Sequence, residues 1–534
     1  MKTTVTGNAD LMKQILSDKP QYRECLFSRG YLITDNHDID GSKYPFYGLW
    51  KEYVINNFRV FIHKDQDSFI FVNGDTKFLL IGHAYNPFNG VYDENVLLQQ
   101  AADAFFESKE NLFSCISEWT GIHALYIFKS DEILSVQDCA GVKALYYGCV
   151  KGDVCYTSHP QMVADLFGLK MDAFVEKLAA NRFYNIGNRY LPGDYSPYSE
   201  LKRIGANVYL RWKIDFGFSV HRFYPTAPHA VNSTEEEYNT AISKAKDILH
   251  KNLELVTQKW PRAAISLSGG TDSKTTLACA NGLYDKFTYF SFQSKDTEVT
   301  DSLAAHEICE KIGVKHDIYP IPANNDEIED YKELKAIIEH SYGYVRGLAE
   351  HEVRKHIFLY KSNLCDTEVK SWSSEIVRVF FERKYGINFP KRLSPRHFSI
   401  FQTRYFLSPM LLKKSDKIYK DFMKKFDIAE PKFNFEHTDM YYWEVRMSSW
   451  GMMVSQSLDI CHRATFPFNN RKLIELMLTL DREKRKTDIV HNDIIKTANK
   501  DIYDSNIHIL NNYFHSRRIL LENVYFKYRT MFKK

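Results

Sequence analysis

The sequence lacks the features that would set a protein in or across a membrane. No run of about 18 apolar residues, the length a helix needs to cross a bilayer, occurs in its 534 residues. The first residues, Met1 to Asn8, hold one lysine and no apolar stretch, so a signal peptide is not expected. Excess charge is missing as well. Lys and Arg number 70 against 67 Asp and Glu, and the resulting +3 gives no reason to expect a nucleic acid or an anionic membrane as partner. The nine cysteines (Cys25, Cys115, Cys139, Cys149, Cys155, Cys279, Cys309, Cys365 and Cys461) form no CxxC pair and no metal-ligand spacing. Such a set excludes a disulfide framework and points to reduced thiols in a cytoplasmic protein. Repeats and low-complexity segments are absent too. What remains is an ordinary globular mixture, 44% apolar with 34 Tyr and 37 Phe, able to bury a large core. At about 100–200 residues per domain the length predicts two to four domains.

Two grammars follow one another along the chain. From Tyr44 to Gly82 short apolar runs (58–63, 68–72, 77–82) alternate with turn residues, which predicts an antiparallel meander. A helix follows near Asn95–Glu107, then strands near 123–128, 133–136, 145–148 and 154–157, a helix over Pro160–Phe167, and strands up to Phe223. Pro225 to Thr234 reads as a linker. Beyond it a long helix over Glu235–Gln258 is opened by Ser233 and Thr234, with acids in its first turn. Strand and helix then alternate: a strand at 263–267, a helix from Ser273, a strand at 287–292, a helix from Asp301, and a strand at 316–320. That order predicts a parallel α/β sheet. Past Tyr331 the chain reads as mostly helical. The expected boundaries are 1–225 and 235–534.

The sharpest local signal is Leu267-Ser268-Gly269-Gly270-Thr271-Asp272-Ser273, between the first strand and first helix of the second half. Two glycines let the backbone approach an anion, and the loop amides with the helix N-terminus can cradle phosphate. Ser268 and Ser273 add hydroxyls, and Asp272 is placed to hold a Mg2+ that shields the phosphates. The Gly-Lys-Ser/Thr ending of a Walker loop is missing.

This string resembles the pyrophosphate loop of the N-type ATP pyrophosphatases, which cleave ATP to AMP and pyrophosphate. The first half narrows the resemblance. Gly121 to Phe128, Gln137-Asp138 to Gly148, and Tyr156 to Ser158 look like the glutaminase domain of asparagine synthetases, with Gln137 for the family's Arg and Ala144 for its Pro. The resemblance implies an N-terminal αββα (Ntn-type) sandwich, a doubly wound parallel α/β ATP pyrophosphatase domain and a helical C-terminal part. One departure is decisive for the first domain. The family's nucleophile is a Cys directly after the initiator Met, assisted by its own free amine. Position 2 here is Lys2 and the first cysteine is Cys25, so glutamine hydrolysis by that route is not expected. In this the chain resembles β-lactam synthetases and lasso-peptide cyclases.

For the second domain the resemblance implies ATP held by residues Leu267 to Ser273, by Phe292 at the end of the second strand, and by Asp301 as a helix cap or phosphate-side acid. The family's Gly-Glu-Gly-Ser-Asp-Glu loop has its counterpart at Ser371-Trp372-Ser373-Ser374-Glu375, with Glu375 for the final Glu and Ser374 for the Asp. Glu339 and Arg346 fall in a segment like the substrate-side helix, and Asn470 stands for an Asp in Phe466-Pro467-Phe468-Asn469-Asn470. The late catalytic lysine of the family has no direct match; Lys486 is the candidate, with Arg485, His491 and Asn492 nearby. Asp272, Glu375 and Lys486 are thus the expected catalytic residues, with ATP and Mg2+ as cofactors. The implied reaction adenylates a carboxylate on a small molecule, peptide or carbohydrate and passes it to a nitrogen nucleophile, from an ammonia-supplying partner where needed. Asparagine synthesis from ammonia, and ATP binding without turnover, are the two alternatives.

Overall fold

Residues 7–186, 190–342, 348–386, 389–403, 408–507 and 517–531 are described by the computed structural model. Alternating apolar residues build the first half into two six-stranded antiparallel sheets. One runs Leu201–Arg203, Tyr146–Val150, Asp153–Thr157, Tyr31–Thr34, Phe58–His63, Trp50–Ile55; the other Gly217–Arg222, Val208–Lys213, Glu132–Gln137, Thr120–Phe128, Thr76–Tyr85, Ser68–Asn73. The three runs expected to form one meander are divided between them. Phe58–His63 belongs to the first sheet, while Ser68–Asn73 and Thr76–Tyr85 form a hairpin in the second. The reason lies in the 64–67 connection: Gln66 is tied to the Lys143 ammonium and Asp67 to the Arg463 guanidinium, which carries the chain away from its neighbour.

Inward-facing residues such as Ile33, Val60, Leu79, Ile81 and Tyr126 fill the space between the sheets. Helices Glu94–Glu107 and Lys109–Ser117 cover the second sheet. The outer face of the first sheet, with Leu32, Phe61, Val150 and Cys155, packs on helices Ala9–Asp18, Pro160–Phe167 and Tyr331–Tyr342. The layer order is αββα, and one outer helix comes from the second half of the chain.

The second half opens with α1 (Glu235–Lys259) behind a capping box. The Thr234 hydroxyl accepts from the Glu237 amide, and the Glu237 carboxylate accepts from the Thr234 amide. Five parallel strands follow: β1 (Ala263–Ser266), β2 (Thr288–Gln293), β3 (His316–Pro320), β4 (Thr367–Val369) and β5 (Arg463–Thr465), in the spatial order β3-β2-β1-β4-β5. Helix α2 (Thr271–Cys279) follows β1, and α3 (Asp296–Lys311) follows β2. The strand order reverses between β1 and β4, which opens a crevice at their carboxyl ends. Short β4 and β5 interrupt the helical remainder, which includes α4 (Glu350–Ser362), α5 (Arg471–Leu478) and α6 (Ile489–Ala498).

The helix expected from Asp301 begins at Asp296, five residues earlier. Glu298 closes its first turn by accepting from the amide and hydroxyl of Ser294, so Asp301 lies inside the helix and caps nothing. Among the described residues no helix is long and apolar enough to cross a membrane.

Candidate functional site

Strand β1 is buried through Ala263, Ala264 and Ile265 and delivers Leu267 to Gly270 to the crevice. The Leu267 amide donates to the Phe290 carbonyl at 2.8 Å, and the Ser291 hydroxyl donates to the Leu267 carbonyl at 2.7 Å, which fixes the loop to β2. The Ser273 hydroxyl donates to the Ser268 carbonyl at 2.6 Å, and the Gly270 amide donates to the Ser268 hydroxyl at 3.3 Å. The loop therefore curls on its own serines at the start of α2. No side chain caps that helix, so the backbone N–H groups of its first turn face the crevice.

The cleft in front of the loop holds about 350 Å³. Leu267, Ser268, Asp272, Ser273, Phe292, Asp301 and Glu375, all expected from sequence, line it together with Lys355, Lys370 and Trp372. Lys355, on α4, sets its ammonium 4.4 Å from the Phe292 ring centre, and burial followed by the Lys370 charge lowers its pKa. Lys370, just past β4, donates to the Ser266 hydroxyl at 3.3 Å and lies 2.6 Å from Glu368. Burial opposes the charge on Glu368, yet Lys370 and His462 hold its carboxyl well below the usual carboxylate range. Burial and the neighbouring Glu298 push the Asp301 carboxyl upward. The lining thus sets two lysines and the rings of Phe292 and Trp372 beside the carboxyls of Asp272, Glu298, Asp301 and Glu375.

Asp272 sits in the first turn of α2 with both oxygens engaged. One accepts from the Ser374 hydroxyl at 2.6 Å, with the His491 Nε2 at 3.6 Å; the other is paired with Arg378. Arg378 reaches on to Asp488 through Nε (3.0 Å) and Nη2 (2.8 Å), and Arg383 grips the same carboxylate at 2.6 and 3.0 Å. Burial lowers the His491 imidazole to about 4. Glu375 is half-buried beside this cluster; desolvation first, and then Asp272, push its carboxyl up to about 7. Its Oε2 has no hydrogen-bond partner among the described residues.

A Mg2+ ion needs carboxylate oxygens free to coordinate in an octahedral shell. Here Ser374 and Arg378 take the oxygens of Asp272, and Arg378 and Arg383 take those of Asp488. The position expected to bring a second carboxylate holds Ser374. Among the described residues no group of three or more His, Cys, Asp or Glu is placed to hold a metal ion. The donor set does not fit the expected Mg2+ site at Asp272.

Residues 246–357, which contain the loop and the first part of α4, match the family model for asparagine synthase. The match spans 112 of the 534 residues. A search of curated proteins returns no match. Among solved structures the chain is similar to an allosteric regulatory enzyme of purine biosynthesis (13% identity, TM-score 0.23, covering 52% of this chain and 62% of that one). It is also similar to glutamine phosphoribosylpyrophosphate amidotransferase from B. subtilis complexed with ADP and GMP (13%, 0.23, 58% and 69%). A third is glutamine-dependent NAD+ synthetase from Acinetobacter baumannii in complex with ADP (14%, 0.13, 45% and 54%). Of the first and third, this chain spans less than two thirds of the length.

Other expected residues lie apart from this cleft. Lys486 faces Glu382 at 3.8 Å and Glu483 at 3.6 Å and does not line the cleft. Arg485 is buried against Asp439 and the Val377 carbonyl. Asn470 caps α5 and donates to the Glu118 carbonyl and the Thr120 hydroxyl, so it ties the two halves together. Glu339 lies on helix Tyr331–Tyr342, 3.9 Å from Lys335, and Arg346 lies outside the described residues. Cys25 is buried at the end of a short helical turn, its thiol pushed by burial up to about 12, a poor nucleophile near neutrality. Sequence reasoning missed Lys355, Lys370, Arg378 and Arg383. Of these, Arg378 carried a signal, one helical turn past the departing Ser374.

Proposed function

We propose that this chain binds ATP in the cleft at the carboxyl ends of β1 and β4 and uses it as an amide-forming ligase. The observation that carries this reading is the Ser268–Ser273 loop at the uncapped start of α2, in a switch-point crevice inside the asparagine synthase segment. A carboxylate oxygen of the substrate attacks the α-phosphorus of ATP; the bond from that phosphorus to the β-phosphate oxygen breaks, and pyrophosphate leaves. The loop amides and the N-terminus of α2 stabilise the charge that builds on it, with Lys355 and Lys370 lining the same cleft. A nitrogen lone pair then attacks the acyl carbon, the bond to AMP breaks, and the nitrogen gives up a proton. Glu375, with its carboxyl near neutrality, is the group in the cleft suited to take that proton. With the Cys25 thiol buried and pushed up to about 12, the nitrogen enters as an amine or as ammonia from a separate source.

A second reading, ATP binding without turnover, is favoured by the engagement of Asp272 with Ser374 and Arg378. ATP–pyrophosphate exchange separates the two. The ligase reading expects exchange with a fractionated metabolite extract, or with aspartate alone if the product is asparagine. ATP that binds, with no exchange and no AMP under any mixture, overturns the ligase reading in favour of the second.

A further inference from the structure

We infer that Arg378 serves as the cation of the phosphate loop, so that the cleft takes up a nucleoside triphosphate without a divalent ion held by the protein. This rests on the ATP reading above. A carboxylate in the first turn of α2 lies where phosphates would dock, and left bare it would repel them. The chain neutralises it from within. Arg378 pairs with Asp272 through Nη1, while its Nε and Nη2 form a two-point clasp on Asp488 at 3.0 and 2.8 Å. Arg383 grips Asp488 from a further side, so Asp488 is an anchor held from two directions. The guanidinium is thereby fixed before any ligand arrives, and little side-chain freedom is left to lose on binding.

The charges close as well. Asp272 and Asp488 are two negatives, and Arg378 and Arg383 two positives. His491, the other nitrogen base beside Asp272, stands 3.6 Å away and is buried. Lys355 and Lys370 line the same cleft, together with Glu298, Asp301 and Glu375. Ser374 completes the exchange of roles, since its hydroxyl occupies the second oxygen of Asp272 at 2.6 Å. A metal entering here would have to displace a guanidinium and a hydroxyl together.

The test is calorimetric ATP binding to the full-length protein in EDTA and in excess Mg2+, for wild type and Arg378→Ala. Wild type is expected to bind ATP in EDTA with a Kd within about threefold of its value in Mg2+. Arg378→Ala is expected to weaken binding in EDTA by about tenfold to a hundredfold and to recover in Mg2+. Electron paramagnetic resonance with Mn2+ alone, no nucleotide present, reads the freed carboxylate directly: the variant is expected to bind Mn2+, the wild type not. Wild-type ATP binding that vanishes in EDTA and returns with Mg2+ overturns the inference and leaves the nucleotide reading standing. No ATP binding under either condition overturns both. The wild-type comparison stands whether or not Arg378→Ala folds.

Discussion

Glu375→Gln probes the electrostatics of the cleft while keeping its shape. The Glu375 carboxyl titrates near 4.5 in an unfolded chain; in the fold, burial and then Asp272 push it to about 7 against the pull of Arg378 and Arg446. A group whose folded value is raised contributes stability that is fully present below 4.5 and lost as pH rises through about 7. At about 1.4 kcal/mol per pH unit, that interval amounts to about 3 kcal/mol. Glutamine is neutral throughout, so Glu375→Gln should match wild type below pH 4.5 and exceed it by about 3 kcal/mol at pH 8. Unfolding 534 residues at about 2.1 cal/mol/K each gives about 1.1 kcal/mol/K, so the expected gain in Tm at pH 8 is about 3 °C. Differential scanning calorimetry of the unliganded protein from pH 5 to pH 8 measures it. Asp459, which burial pushes up to about 6, adds a slope of the same sign, but it is present in both proteins and cancels in the difference. A constant Tm difference between variant and wild type over this range would refute the reasoning.

Four further substitutions have expected outcomes. Asn469→Ala removes a side chain that donates to the Gly121 carbonyl at 2.7 Å and to Asp138 at 3.0 Å and accepts from the Ala140 amide at 2.9 Å; two buried backbone groups and a buried carboxylate each lose a partner. The expected cost is about 3–5 kcal/mol, read from the urea unfolding midpoint. Gly121→Ala sets a Cβ 2.2 Å from the His83 carbonyl at a backbone φ of +134°, and should cost more than about 3 kcal/mol on the same axis. Gly270→Ala meets only the Ser268 hydroxyl at 3.3 Å and is the tolerated control. Lys355→Ala should weaken ATP binding about tenfold in calorimetry with little change in stability, since its ammonium faces the cleft.

The strands of the first half could be read because period-two alternation is a local property. The runs at 58–63, 123–128, 133–136 and 154–157 lie within strands, and Pro160–Phe167 is a helix as its spacing predicts. Which sheet each strand joins is not local. The division at Lys64–Asp67 depends on Lys143 and Arg463, the latter almost 400 residues away in sequence. Strands Tyr31–Thr34 and Trp50–Ile55 went unread. Strands β4 and β5 are three residues each, too short for any period, and they exist because parallel neighbours complete them.

The same distinction governs the site. Leu267 to Ser273 are one contiguous run, four of whose residues line the cleft, and Glu375, at the end of a short motif, lines it too. The charges that decide the chemistry of the loop arrive from elsewhere: Lys355 from α4, Arg378 and Arg383 from the segment after Glu375, Asp488 and His491 from the start of α6. Lys486, offered by the resemblance as the late lysine, lies against Glu382. One inference was nonetheless within reach of the sequence. Exchanging a carboxylate for Ser374 removes a negative charge, and an arginine four residues on adds a positive one, the separation that brings side chains together over one helical turn. Both changes move the local charge in the same direction, away from a pair of carboxylates that requires a divalent ion. Their joint effect is the Ser374–Asp272–Arg378 cluster, in which both oxygens of the loop carboxylate are engaged within the chain.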